Sequence, residues 1–587
     1  IHGNIRLANG ILRLENFRGA YGDSKITNVD ASYDFTGAAP GKLDLHTGGE
    51  RNFAELKEQL ELFDLPAETP RMLKPVQELS GRGKLRLGIT HAPEAPIHFE
   101  GTLMLDRVRV RYAEFSLSDL QGELAFSPRE INGEQIQAQL AGSPIQIGLA
   151  LKDYRAADGF FDLHVDSPGL KAGALSALLL DTGSPRDEGI VRGGIRYFGS
   201  LNDKKQRKFT GDLDLFNVRV LVKPLLQPLR ELNGKIRIDE TGIDFQNLKA
   251  LVVGVPAGAS GRWRYDQRPQ LLFDFSAPSL DITHLISQID PESSDFYATL
   301  VAEGKIALNR GRIKNFEFAD LKTDAHIDHR VWYLTNLTAR SAGGTIRGVT
   351  TIFDRPTTLA VTAEPRVQGV PVQSFLKWFD VTNTEMTGSV TLAGKLETVG
   401  MTDIERNENL NGVFNMKIED GTINRMRILV QILNLLDLSR WFTLQLPDLA
   451  KEGIRFRAIT GDFKVVKGVY STENLVVDSN DLRMTAAGKI DVPKNELDLL
   501  VAVRPFAGID TALNYIPLLG RGVAAIKNSF LVASFNIHGA IDNPTITPAP
   551  LGTLTEWFWG VLGIPKNMIG LGEEERQEDP APKAPGR

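Results

Sequence analysis

Residues 101–110 read GTLMLDRVRV and residues 211–220 read GDLDLFNVRV, and these two stretches decide the fold. They agree at Gly, Leu, Leu, Val, Arg and Val in a single register. In each, one pair of leucines (Leu103 and Leu105, or Leu213 and Leu215) alternates with polar residues. The apolar series then resumes one residue out of phase, at Val108 and Val110 or at Val218 and Val220. Alternation with a period of two means a β-strand with one buried face and one wet face. A one-residue slip would turn every later side chain to the wrong face unless the strand carries a bulge or a tight bend.

The frame recurs along the chain. Residues 304–313, GKIALNRGRI, keep it with Ile306 and Leu308, as do residues 3–12, GNIRLANGIL, and more loosely GVFNMKIEDGTI from Gly412. The leading glycines stand at 3, 101, 211, 304 and 412, and self-similarity at a fixed period marks a repeat architecture. A second motif follows the first: LQGELAF at 120–126, LNGKIRI at 232–238 and ITGDFKV at 459–465. Units then close on a short helical pattern, clearest in Phe53, Leu56, Leu60 and Phe63 and weaker at 170–180, 282–289 and 370–379. The expected organisation is repeated β-units over residues 1–380, with starts near 3, 101, 211 and 304. No Pro/Ser/Gly-rich linker separates the units before residue 543. Pattern alone leaves both a continuous sheet and a string of β-sandwiches open.

Composition narrows the function classes. The chain has 587 residues, 67 basic and 73 acidic, with a net charge of -6, which argues against a nucleic-acid partner. Cysteine is absent, so disulfides, thiolate nucleophiles and cysteine-ligated zinc are excluded. No apolar run is long enough to span a bilayer as a helix. The chain begins at Ile1 within a strand-like pattern, and any signal sequence or anchor is expected upstream. Of nine histidines only His326 and His329 lie close, and in a strand their odd spacing points them to opposite faces, so no metal site is expected. Gly520-Arg521-Gly522 lacks the Lys-Ser/Thr of a phosphate loop, and neither G-x-S-x-G nor H-E-x-x-H occurs. Asp212 and Asp214 read as solvated charge on a strand's polar face. No enzyme and no cofactor are expected.

Residues 484–505, MTAAGKIDVPKNELDLLVAVRP, are followed by YIPLLG at 515–520 and FNIHGAIDNPTITP at 535–548. This order resembles the C-terminal region of AsmA-like proteins, and the upstream units are similar to the repeats of YhdP-type and, more distantly, TamB-type members. The resemblance implies a mainly β fold, a long twisted antiparallel sheet curved into a groove, with short helices between units and near the C-terminus. It places an AsmA-like region at 381–550, with an amphipathic helix inserted at 424–450. It further implies bridge-like phospholipid transport in the periplasm of a diderm bacterium, with an inner-membrane anchor upstream and the outer membrane as destination. Partners would be phospholipid acyl chains, the two membranes and other envelope proteins.

A one-faced sheet suits such cargo. Exposing both acyl chains of a phospholipid to water costs roughly 20 kcal/mol at about 0.8 kcal/mol per CH₂. The candidate groove residues are Leu103, Leu105, Val108, Val110, Leu213, Leu215, Val218, Val220, Ile306 and Leu308, with Arg109 and Arg219 turned outward. In the amphipathic segment 551–570, Leu554, Trp557, Phe558, Val561 and Leu562 form an aromatic-rich face expected to contact a membrane or partner. The tail 571–587 has no core-forming pattern and reads as disordered. Two other readings stay open: an assembly factor that pairs its sheet edge with client strands, and a glycan-acting β-solenoid enzyme.

Overall fold

The computed structural model describes residues 1–36, 41–55, 76–93, 95–112, 115–179, 184, 187–290, 298–355, 357–379, 381, 386–423, 453–480, 482–505, 523–526 and 530–563. The expected inserted helix at 424–450, the YIPLLG segment and the tail lie outside them. The chain is mainly β, and its strands belong to one 31-stranded sheet. It divides into two compact units, Ile1–Ala277 with Ser287–Ser293, and Pro278–Ile286 with the chain from Ser294 onward.

The first unit opens with β1 (His2–Ala8), β2 (Ile11–Tyr21), β3 (Ser24–Asp34) and β4 (Lys42–Asn52). A helical turn at 53–55 follows. Next come β5 (Val76–His91), β6 (His98–Tyr112), β7 (Phe115–Phe126), β8 (Glu130–Leu140), β9 (Ser143–Lys152), β10 (Phe160–Lys171) and helix α1 (Ala172–Leu179). The unit ends with β11 (Ile190–Ser200), β12 (Lys208–Val220), β13 (Leu229–Asp239), β14 (Gly242–Val252), β15 (Val255–Arg264) and β16 (Leu271–Ala277). Each strand pairs antiparallel with the next, and no described strand closes the row into a barrel.

The second unit begins with the two-residue β17 (Leu280–Asp281) and helix α2 (Ile282–Ser287). Then follow β18 (Val301–Ile313), β19 (Phe316–Asp328), β20 (Val331–Ser341), β21 (Gly344–Arg355), β22 (Thr358–Pro371) and α3 (Val372–Lys377). After β23 (Ser389–Val399), the short helix α4 (Asp403–Glu408) leads to β24 (Asn411–Ile423). The rest is β25 (Ile454–Val466), β26 (Val469–Ser479), β27 (Leu482–Asp491), β28 (Glu496–Pro505), β29 (Val523–Ile526), β30 (Phe530–Ala540), β31 (Thr545–Pro548) and α5 (Glu556–Val561).

The phase slips are β-bulges. The ladder register jumps between Leu105 and Val108 in β6 and between Leu215 and Val218 in β12. Arg107 and Asn217, at φ of 51° and 50°, absorb the extra residue in the left-handed region. Each slip returns the later valines to the face of the earlier leucines.

One expectation needs correction. The strands of Gly101, Gly211 and Gly412 (β6, β12 and β24) are each the second strand after the turn at Phe53, α1 and α3 respectively. Each is preceded by a related strand containing GKLRL (83–87), GGIRY (193–197) or GKLET (394–398). The strand of Gly304, β18, instead follows α2 with no described strand between them, and it runs parallel to β17, with Leu280 opposite Gly311 and Asp281 opposite Arg312. Among the described residues this repeat has no counterpart of that first strand, so the five glycine-led strands are not all equivalent.

Within each unit, the helical segments that cover the apolar face leave the sheet from one end. The turn at Phe53 and α1 follow β4 and β10, which run in the same sense in the first unit. In the second unit α2 and α3 follow β17 and β22, again in one sense. The turn at Phe53, α1 and α3 fold over the apolar face: Phe53 packs with Leu105, Val108 and Ile136, Ala172 with Leu215 and Val218, and Val372 with Val390 and Leu392. Among the described connections, the opposite end has mostly short turns, with α4 as its helix.

Candidate functional site: the apolar face

Eight of the ten expected groove residues fall in two apolar clusters. Leu103, Leu105, Val108 and Val110 lie in one apolar cluster. Leu213, Leu215, Val218 and Val220 lie in another. Six of the ten are spent on the chain's own packing: Leu105 (8% exposed), Val108, Leu215 (7%), Val218, Val220 and Leu308 (2%). In the β6 and β12 clusters they sit beneath or beside the helices. Leu103 and Leu213, farther from the helical end, are half-buried, as are Val110 and Ile306. Arg109 is exposed on the other face and pairs with Glu78 at 3.7 Å, whereas Arg219, also turned to that face, is half-buried.

The half-buried positions extend sideways into rows. Leu85, Leu103 and Leu124 stand opposite one another across β5, β6 and β7. Across β12 to β16 the row is Leu213, Ile236, Phe245, Gly261 and Phe273. Gly261 leaves room for a ring, since a Cβ there would lie 2.6 Å from Phe245. In the second unit Ile346, Val367, Leu392, Met416 and Gly461 form a row across β21 to β25, in which Val367, Leu392 and Gly461 are buried. Ile306 is less favourably placed, because its cross-strand neighbour is Thr323. Sequence reading missed Ile236, Phe245 and Gly261 as neighbours of Leu213, because lateral register is set by hairpin turns and bulges rather than by alternation.

The opposite face carries cross-strand ion pairs. Asp212 accepts from Arg237 at 2.7 Å and Asp214 pairs with Lys235 at 3.6 Å, so both acids are structural. Asp162 is held below the usual carboxylate range by the hydrogen bond from Arg196. Burial works against the charge of Asp478, yet Arg483 and Arg457 hold its carboxyl low as well. No group of three or more metal-ligating side chains occurs among the described residues, and no described helix is long and apolar enough to cross a membrane.

The C-terminal segment differs from expectation. Leu554, Phe558 and Leu562 are buried, and with Trp559 they pack on Ala502 and Val532 of the sheet face opposite the main apolar cluster. Their apolar surface is thus covered by the chain itself and cannot also meet a membrane in this arrangement. Trp557 and Val561 remain half-exposed. Arg483 donates to the Val561 carbonyl at 3.2 Å and Arg504 to the Leu562 carbonyl, so two cations close the C-terminal end of α5.

Residues 303–546 match the family model described as YhdP protein. That stretch is similar to the YhdP family. It begins in β18, ends in β31 and includes Ile306 and Leu308, so the expected AsmA-like, YhdP-type character is borne out. The rows at Leu103 and Leu213 lie upstream of the YhdP-type stretch, on strands of the same repeat. No curated protein and no solved structure matches the chain.

Proposed function

We propose that the apolar face carries lipid acyl chains along successive repeats between the inner and outer membranes of a bacterial envelope. The observation that carries this reading is the half-buried row Leu213–Ile236–Phe245–Gly261–Phe273. It offers a lateral apolar path outside the part of the face that the helices occupy. Strands bring about 4.8 Å each, so five adjacent strands give a path of about 20 Å, the scale of an acyl chain rather than of a catalytic pocket. The ion-paired reverse face keeps the sheet wet on its other side. The YhdP-type region supports lipid transport rather than catalysis.

Photo-crosslinking side chains at Leu103, Leu213 and Ile306 should capture phospholipid from cells, and those at Arg109 and Arg219 should not. Capture at the arginine positions alone would place the lipid on the other face and end this reading.

A further inference from the structure

On the face of the second unit opposite the main apolar cluster, α5 borders a cleft of about 1090 Å³. Small-molecule sites commonly measure about 300–1,000 Å³. The floor crosses β23 to β27, and its outward side chains include Asn415, Asp462, Lys464 and Asn474. Their strand neighbours Met416 and Leu475 face the opposite, apolar side. Trp557 forms part of the wall, its ring set edge-on against Phe558 at 5.2 Å and 86°.

The polar groups here are of two kinds. Asp462 and Asn474 hold each other: the Asp462 N–H donates to Asn474 Oδ1 and Asn474 Nδ2 donates to Asp462 Oδ2, both at 2.7 Å. Asn415, Lys464 and Glu473 make no side-chain hydrogen bond or ion pair among the described residues. An open cleft therefore combines an aromatic wall with uncommitted amide, ammonium and carboxylate groups.

That chemistry excludes several ligands. Two carboxylates beside one lysine give no excess of positive charge, which disfavours a phosphate-bearing ligand. Strands β23 to β27 are each paired on both sides, so the floor has no free edge for an added peptide strand. A sugar ring matches both features: its C–H face packs on an indole, and its hydroxyls both donate and accept. We propose that this cleft binds a neutral saccharide chain, with Trp557 as the stacking platform and Asn415, Lys464 and Glu473 as the hydrogen-bonding groups.

The test is calorimetric titration of the whole chain with three neutral tetrasaccharides, namely β-1,4-linked N-acetylglucosamine, cellotetraose and maltotetraose. At least one should saturate. Asn415→Ala and Lys464→Ala, both at solvated positions, should each weaken that binding about fivefold. Trp557→Leu should weaken it about tenfold with an unchanged near-ultraviolet circular dichroism spectrum. Three results would overturn the proposal: no saturation by any of the sugars, binding indifferent to all three substitutions, or Trp557-dependent binding to phosphatidylcholine vesicles without sugar binding.

Discussion

At the scale of single residues, the bulges need a second device to be affordable. A bulge removes an N–H from the ladder, and at three of the bulges a side chain on the next strand accepts from it. The Asn217 N–H donates to Asn233 Oδ1 at 3.0 Å, the Asn16 N–H to Asp30 Oδ1 at 2.9 Å and the Asn247 N–H to Ser260 Oγ at 3.0 Å. The slip from Leu215 to Val218 was legible in the sequence because it interrupts an alternation. The partner Asn233 was not, since it stands on another strand and belongs to no periodic pattern. A β-branched residue is strained at the φ of 50° that Asn217 adopts. Asn217→Val should therefore destabilise the β12–β13 pair by about 1–2 kcal/mol, and Asn217→Gly should be nearly neutral. Asn233→Ala, at a solvated site, should cost about 1 kcal/mol. Native-state amide exchange at Leu213 to Leu215 reads all three, and equal protection in the Val and Gly variants would show that the bulge is not held by this conformation.

At the scale of elements, the short helices α1 to α3 fell where their periodicity placed them, and α1 and α3 have an apolar side that the sheet beneath completes. Helix α5 shows what periodicity omits. The pattern of Leu554, Phe558 and Leu562 says that one side is apolar, but not what covers it. The cover is Ala502 and Val532, on the sheet face that alternation assigns to solvent along most of the chain. Two long-range hydrogen bonds from Arg483 and Arg504 then fix the helix end. Burial, and next the neighbouring Arg483, pull the Arg504 guanidinium below its usual pKa, so its position depends on the carbonyls it meets. Replacing both arginines with Gln should free α5 while the strands stay folded. Limited proteolysis should then cut after residue 550 at least tenfold faster than in the parent chain. An unchanged cleavage rate would mean that the apolar contacts alone hold the helix.

At the scale of the whole molecule, the function rests on continuity rather than on any one side chain. A path through successive repeats is limited by its worst cross-section. Leu213→Asp puts a charge on the half-buried row, at the half-exposed margin of the packed cluster around Leu215. An unpaired charge in an apolar medium costs several kcal/mol, and 1.4 kcal/mol already changes a rate tenfold. In the full-length protein, lipid delivery should fall more than tenfold with folding intact by circular dichroism. Ile306→Asp, in another repeat, should do the same, and the double variant should be little worse than either. Additive losses would point to independent sites, as in a carrier that binds and releases. The repeat period was readable because each copy carries its own glycine and leucines. The want of a described strand between α2 and β18 was not, because the glycine-led copy at 304–313 reads like the others.

That absence has an arithmetic. In a row where each strand reverses the one before, direction is a matter of odd and even. Removing one strand alone would invert all that follow, and the later helices would emerge on the far rim. The passage from β17 through α2 to a parallel β18 restores the count, so α3 departs from the same rim as α2. Repeats of this kind can therefore shed a strand without turning their furniture to the other side, provided that one parallel step absorbs the odd number.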